Sequence, residues 1–265
     1  MIAHPRPWRW ILSRPLVGHR VRVWRHVALA AALFAASPAH AQSSGDGFLF
    51  KPPSGTVTFW SGFDRATAGS DVFTFAINQL TLSARDFSAL TLAGDFGFRV
   101  TSRAEVVFGV SSSRSNAPSE FRNWVDNKRL PIEQTTMFQR VPVTASVKAY
   151  LTQPGRTVGN FAWIPARYAP YVGGGGGVMW YRFEQHGDFI DFSTTRVFTD
   201  TFDSSGWTPT AQAFAGTDVS LNPRFALTAE LRYQWANASL SRDFSGYKAI
   251  DLSGLSATAG VPIRY

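Results

Sequence analysis

The sequence predicts an all-β chain, an eight-stranded antiparallel transmembrane β-barrel with short periplasmic turns and long extracellular loops. Three observations carry this. Apolar and polar residues alternate with period 2 over eight segments. The connections between the segments alternate in length, so the long ones gather at one end. A basic, then apolar, then small-residue stretch precedes them all, which is the order of a secretory signal.

The leader comes first. Residues 1–26 hold Arg6, Arg9, Arg14, Arg20, Arg22 and Arg25 and no acid, and an apolar run from Val27 to Ala36 follows. Ala39 and Ala41 fit an A-x-A cleavage site. The apolar run is shorter than the roughly 20 residues a helix needs to cross a bilayer. Residues 1–41 are therefore expected to be a signal peptide cleaved near Ala41, residues 42–54 a short N-terminal periplasmic segment, and residues 55–265 the barrel.

This leader explains the charge. The whole chain carries 26 Lys+Arg against 18 Asp+Glu, a formal +8. Without residues 1–41 the bases fall to 20, the acids stay at 18, and the balance is +2. A strongly basic chain would suggest nucleic acid, and that suggestion lapses; no nucleic-acid partner is expected. The chain has no cysteine, which excludes disulfides, thiolate zinc sites and a cysteine nucleophile. Four of the five histidines sit in the leader, leaving His186. No catalytic residue, metal ligand or cofactor is expected.

The strands follow in order. After a first segment at 55–64, residues 88–101 place Leu90, Leu92, Phe96, Phe98 and Val100 on one face and Thr91, Asp95 and Arg99 on the other. In 103–112, Ala104, Val106, Phe108 and Val110 oppose Glu105 and Val107. In 137–151, Val141, Val143, Ala145, Val147 and Ala149 oppose Arg140, Thr144, Ser146 and Lys148. A fifth segment spans 168–183, with its orientation open. In 210–221, Ala211, Ala213, Ala215 and Val219 oppose Gln212 and Asp218. The cleanest alternation is 225–236, where Phe225, Leu227, Ala229, Leu231, Tyr233 and Trp235 oppose Thr228, Glu230, Arg232 and Gln234. The last runs through Leu255, Ala257, Ala259, Val261, Ile263 and Tyr265.

The expected long loops are 65–87, 113–135, 184–206 and 238–247. Short turns lie near Thr101-Ser102 and Asn222-Pro223, and a medium turn near 153–166. Within the first loop, residues 72–82 fit either a strand extension or a short helix.

An eight-stranded barrel has an interior just wide enough for side chains. Asp95, Arg99, Glu105, Arg140, Lys148, Asp218, Glu230 and Arg232 are therefore expected to form a paired lumen charge network. The alternative is a soluble barrel with these residues solvated outside. Trp60, Tyr171, Trp180, Tyr181, Tyr233, Trp235 and Tyr265 lie near strand ends and are expected in an aromatic girdle at the membrane interface.

Three stretches resemble known proteins. Ala229 to Trp235, ending Tyr233-Gln234-Trp235, is similar to the seventh strand of the OmpA transmembrane domain. Pro170-Tyr171-Val172 with Gly173 to Gly177 resembles a strand of small outer-membrane barrels, and Asp251 to Val261 looks like their last strand. The chain thus resembles the OmpA/OmpX-like eight-stranded barrels of Gram-negative outer membranes. The resemblance implies a C-terminal assembly signal, here Val261, Ile263 and Tyr265, read by the barrel-assembly machinery. Pro262 departs from the pattern by removing a ladder donor. It also implies outer-membrane lipid and lipopolysaccharide as surroundings.

The fold hosts many activities. The first expectation is a non-enzymatic surface or membrane-structural barrel that binds an extracellular ligand of unknown identity through its loops. The alternative is a narrow pore for small or apolar solutes, for which the glycine run 173–177 would make room. Third comes a lipid-modifying enzyme, for which His186, Asp188, Asp191 and Ser193 are nominally available in one loop.

Overall fold

The computed structural model describes residues 48–126, 128–159, 162–191, 194 and 196–265. The expected leader and its cleavage site, residues 42–47 of the segment after it, and Ser193 lie outside the described residues.

Eight strands close into one barrel. They are β1 (Gly55–Ala66), β2 (Ala89–Arg99), β3 (Ala104–Val125), β4 (Pro131–Tyr150), β5 (Tyr168–Asp191), β6 (Arg196–Ser220), β7 (Ala226–Trp235) and β8 (Gly254–Arg264). Each pairs antiparallel with its neighbours in sequence, and β1 closes on β8 from Thr56–Arg264 to Ala66–Gly254. Closure leaves no open edge around the ring, the condition for a sheet surrounded by lipid. At Pro262 the missing donor costs little, because the continuous β7–β8 ladder ends at Thr228–Gly260 and only an isolated Phe225–Ile263 bridge lies beyond.

The short turns are built from side chains that stand in for backbone. Thr101 Oγ1 accepts from the amides of Arg103 and Ala104 at 3.2 and 2.9 Å. Asn222 Oδ1 accepts from the amides of Arg224 and Phe225 at 2.9 and 2.8 Å, an Asx turn. In the medium turn, Gly155–Val158 and Ala162–Pro165 pair as a small hairpin.

At the other end two expectations are corrected. Residues 113–125, 131–135, 184–191 and 196–206 are continuations of strand. β3 and β4 stay paired out to Val125–Pro131, with an irregularity between Glu120 and Val125, and β5 and β6 pair without interruption out to Asp191–Arg196. With 24 residues, β5 is twice the length of the 12-residue β1. Strands β3 to β6 therefore rise as a tall wall beyond the short β1, β2, β7 and β8. The reason is alternation that persists while the chemistry changes. Inward residues switch from charged to small or apolar, as in Ser113, Ser115, Ala117, Ser119 and Phe121, all buried.

The first long connection supplies the missing half of that wall. Asp71–Gln79 is helix α1, which resolves the open reading of residues 72–82. A nine-residue helix is marginal by itself. Here Val72, Phe73 and Ala76 are buried, and Phe73 packs edge-on against Phe87, Phe138 and Phe183. Arg122 of β3 donates to the carbonyls of Ile77 and Leu82 at 3.3 and 3.1 Å, and Thr81 and Glu120 exchange two hydrogen bonds of 2.9 Å. Phe244, Ile250 and Leu252 of the last connection join the same apolar cluster.

Candidate functional site

The barrel interior is a stack of polar layers. At the short-turn end, Arg99 pairs with Glu105 at 3.0 Å and Lys148 with Asp218 at 3.0 Å. The Tyr150 hydroxyl links them, donating to Asp218 at 2.9 Å and reaching Glu105 at 3.5 Å. Lys148 Nζ lies 3.8 Å from the centre of the Tyr171 ring. One layer up, the Tyr171 hydroxyl donates to Glu230 at 3.0 Å, Glu230 pairs with Arg232 at 2.8 Å, and Arg232 reaches Asp95 at 3.5 Å. Trp60 Nε1 donates to Asp95 at 2.8 Å. Above this, Gln212 Nε2 donates to Thr144 and Ser146 at 3.0 and 2.7 Å. The top layer is Arg140, paired with Asp64 at 2.9 Å and donating to the carbonyls of Leu252 and Ser253 at 2.9 and 3.1 Å. Buried charges are costly unless paired and hydrogen-bonded, and this network pairs them in series.

All eight charged residues singled out from the sequence point inward. Two more were not singled out. Asp64 completes the Arg140 pair, and Arg264 donates to Ser220 at 2.9 Å. Both were legible in principle, Asp64 by its phase with Thr58 and Trp60, Arg264 by its opposition to Ile263 and Tyr265.

Both ends are closed. At the short-turn end the small hairpin folds across the mouth and buries Trp163, with Arg99 and Arg264 placed 5.9 and 5.7 Å from its ring. Leu49 adds to the hairpin through two backbone bonds with Trp163, of 2.9 and 2.7 Å. At the other end the apolar cluster around α1 sits on the Arg140 layer. Between them, two cavities along the network hold about 20 and 10 Å³, small beside a ligand pocket. The glycine run makes no open space. Gly173 faces inward, and the ring of Phe214 occupies the volume a side chain would need.

The girdle expectation is corrected at three positions. Trp60, Tyr171 and Tyr181 are buried inside the barrel. Their amphipathic tips satisfy interior partners, Tyr181 donating to the Ser239 carbonyl at 2.7 Å. An aromatic residue suits either face, so residue type alone does not fix its phase. Trp180, Tyr233, Trp235 and Tyr265 do face outward. Of the C-terminal trio, Val261 and Tyr265 are exposed and Ile263 is half-buried. Tyr265 stacks on Phe96 at 5.7 Å.

The outer wall is apolar. Leu90, Leu92, Phe59 and Trp207 are 77, 66, 63 and 63% exposed. Phe63, Phe98, Phe108, Val147, Leu227, Leu231 and Trp235 continue the belt. A patch of this extent in water would be an aggregation liability.

His186 lies on the outer face of β5, its Nδ1 2.9 Å from Thr201 Oγ1, while Asp188 accepts from Thr199 at 2.5 Å. Among the described residues, no three His, Asp or Glu side chains converge as metal ligands.

A ring of eight antiparallel strands, charged within and apolar without, defines the small outer-membrane-type barrel, the architecture the sequence resembles. No family model matches the chain, and no curated protein matches it. Among solved structures, the Neisserial surface protein A is similar, at 10% identity over 80% of this chain and 96% of that one, TM-score 0.43. The attachment invasion locus protein Ail of Yersinia pestis matches at 11% identity over 83% and 100%, TM-score 0.39. The N-terminal β-barrel domain of Pseudomonas aeruginosa OprF matches at 14% over 81% and 100%, TM-score 0.34.

Proposed function

We propose that the protein is a non-enzymatic barrel of a Gram-negative outer membrane. It spans the bilayer as a solid plug and presents its β3–β4 and β5–β6 hairpins outside as a surface for binding. The observation that carries this reading is the inversion of polarity: exposed leucines and phenylalanines outside, a charge network linked by ion pairs inside. Lipid is the solvent that matches such an exterior. In this reading residues 1–41 direct export and are cleaved near Ala41, the barrel-assembly machinery reads Val261, Ile263 and Tyr265, and the wall meets outer-membrane lipid and lipopolysaccharide. The paired hairpins suit a recognition surface.

Planar-bilayer recording of the folded full barrel tests the plug. The expected trace is silent, because ion-pair layers, Trp163 and the α1 cluster lie in series along the axis. Discrete conductance steps would support the pore reading instead.

A further inference from the structure

On the outside of β1, at the upper edge of the apolar belt, Phe63, Arg65, Arg85 and Ser88 line a cavity of about 390 Å³. Arg65 is the next outward residue after Phe63 on β1 and pairs in register with the exposed Leu255 of β8. Phe63 pairs with the exposed Leu90 of β2. Arg85 reaches the same place from the 3-10 turn Ala84–Phe87. The two guanidinium groups are exposed, and neither has a hydrogen bond or ion pair among the described residues. The nearby carboxylates are engaged elsewhere. Asp86 caps its own turn through Ser83 at 2.7 and 2.9 Å, and Asp64 faces inward to Arg140. Outward-facing Arg114 of β3, one residue beyond the Thr91–Ser113 pair, adds a third such cation beyond Leu90.

Two unpaired guanidiniums at an apolar boundary repel each other and await an anion. The anion that fits carries an acyl chain, since the floor of the cleft is Phe63 and its neighbours are Leu90 and Leu92. Arginine suits phosphate, offering planar paired donors and weak hydration. We infer that the cleft between Arg65 and Arg85 binds the phosphate of a membrane lipid in the leaflet at the long-loop end, with an acyl chain laid along Phe63 and Leu90. This rests on the membrane-spanning reading above.

Native mass spectrometry of the folded full chain in detergent tests it, with lipid A in its phosphorylated and dephosphorylated forms as probes. Wild type should retain the phosphorylated form about tenfold more than the dephosphorylated one, a difference of about 1.4 kcal/mol. The Arg65→Gln/Arg85→Gln double variant should lose that preference, and Arg167→Gln at the opposite end should keep it. Equal retention of the two forms by wild type, or an unchanged preference in the double variant, overturns the site. Displacement of the lipid by an equal concentration of inorganic phosphate would assign the cleft to free phosphate and overturn the lipid claim. A sample whose gel mobility does not change on boiling is not a folded barrel and defeats the membrane reading along with the site; lost preference in a heat-modifiable barrel counts against the site alone.

Discussion

Glu230 receives the Tyr171 hydroxyl and the Arg232 guanidinium inside the barrel, whereas Asp200 is exposed on the β6 hairpin and, among the described residues, accepts only the amide of Thr201. Removing one member of a buried pair strands the other charge and costs about 3–5 kcal/mol; a surface change away from such features stays within about 0.5 kcal/mol. Glu230→Ala should therefore lower the thermal unfolding midpoint clearly, and Asp200→Ala should leave it near wild type. Equal midpoints would contradict a paired interior. Packing gives a second contrast. A side chain at Gly173 meets the Phe214 ring and the Val147 carbonyl, while one at Gly94 meets nothing within 4 Å. Gly173→Ala should cost about 1–3 kcal/mol by overpacking, and Gly94→Ala should be close to neutral in the same denaturation experiment. The charged interior was readable because a charge on one face of a period-2 strand has few places to go. Trp60 was not, because its ring favours either face and its Nε1 contact with Asp95 joins residues 35 positions apart.

Among the elements, α1 depends most on its surroundings. Phe73 is fully buried among three other phenylalanines. Phe73→Ala should cost the cap about 3–5 kcal/mol while the ring of strands persists. Limited proteolysis should then cut within 67–88 faster than in wild type, with the gel shift on boiling retained; unchanged cleavage would argue against the helix as the seat of the cap. The tall hairpins show where sequence reading stops. Ser111-Ser112-Ser113-Arg114-Ser115-Asn116 has poor strand propensity, and His186-Gly187-Asp188 reads as a loop. Both stretches are held by ladders to β4 and β6. Propensity in a strand reports mainly what the side chains pack against, and that partner lay elsewhere in the chain. The eight barrel segments needed no such information, since an apolar exterior and ion pairs inside impose the alternation on each strand separately.

At the scale of the whole molecule, one ring of strands separates three environments: an apolar belt outside, ion-pair layers inside, and an apolar core enclosed by the tall wall and α1. The first two were legible from composition and phase. The third was not, because it joins α1, β3, β4, β5 and the last connection, segments distant in sequence. In the proposed reading these strands close into a barrel folded for a bilayer. The most direct test is electrophoresis of the detergent-extracted full chain with and without boiling. A closed, hydrogen-bonded ring resists detergent and should migrate differently from the boiled chain, with the difference vanishing at the unfolding temperature. Identical mobility before and after boiling would contradict the account.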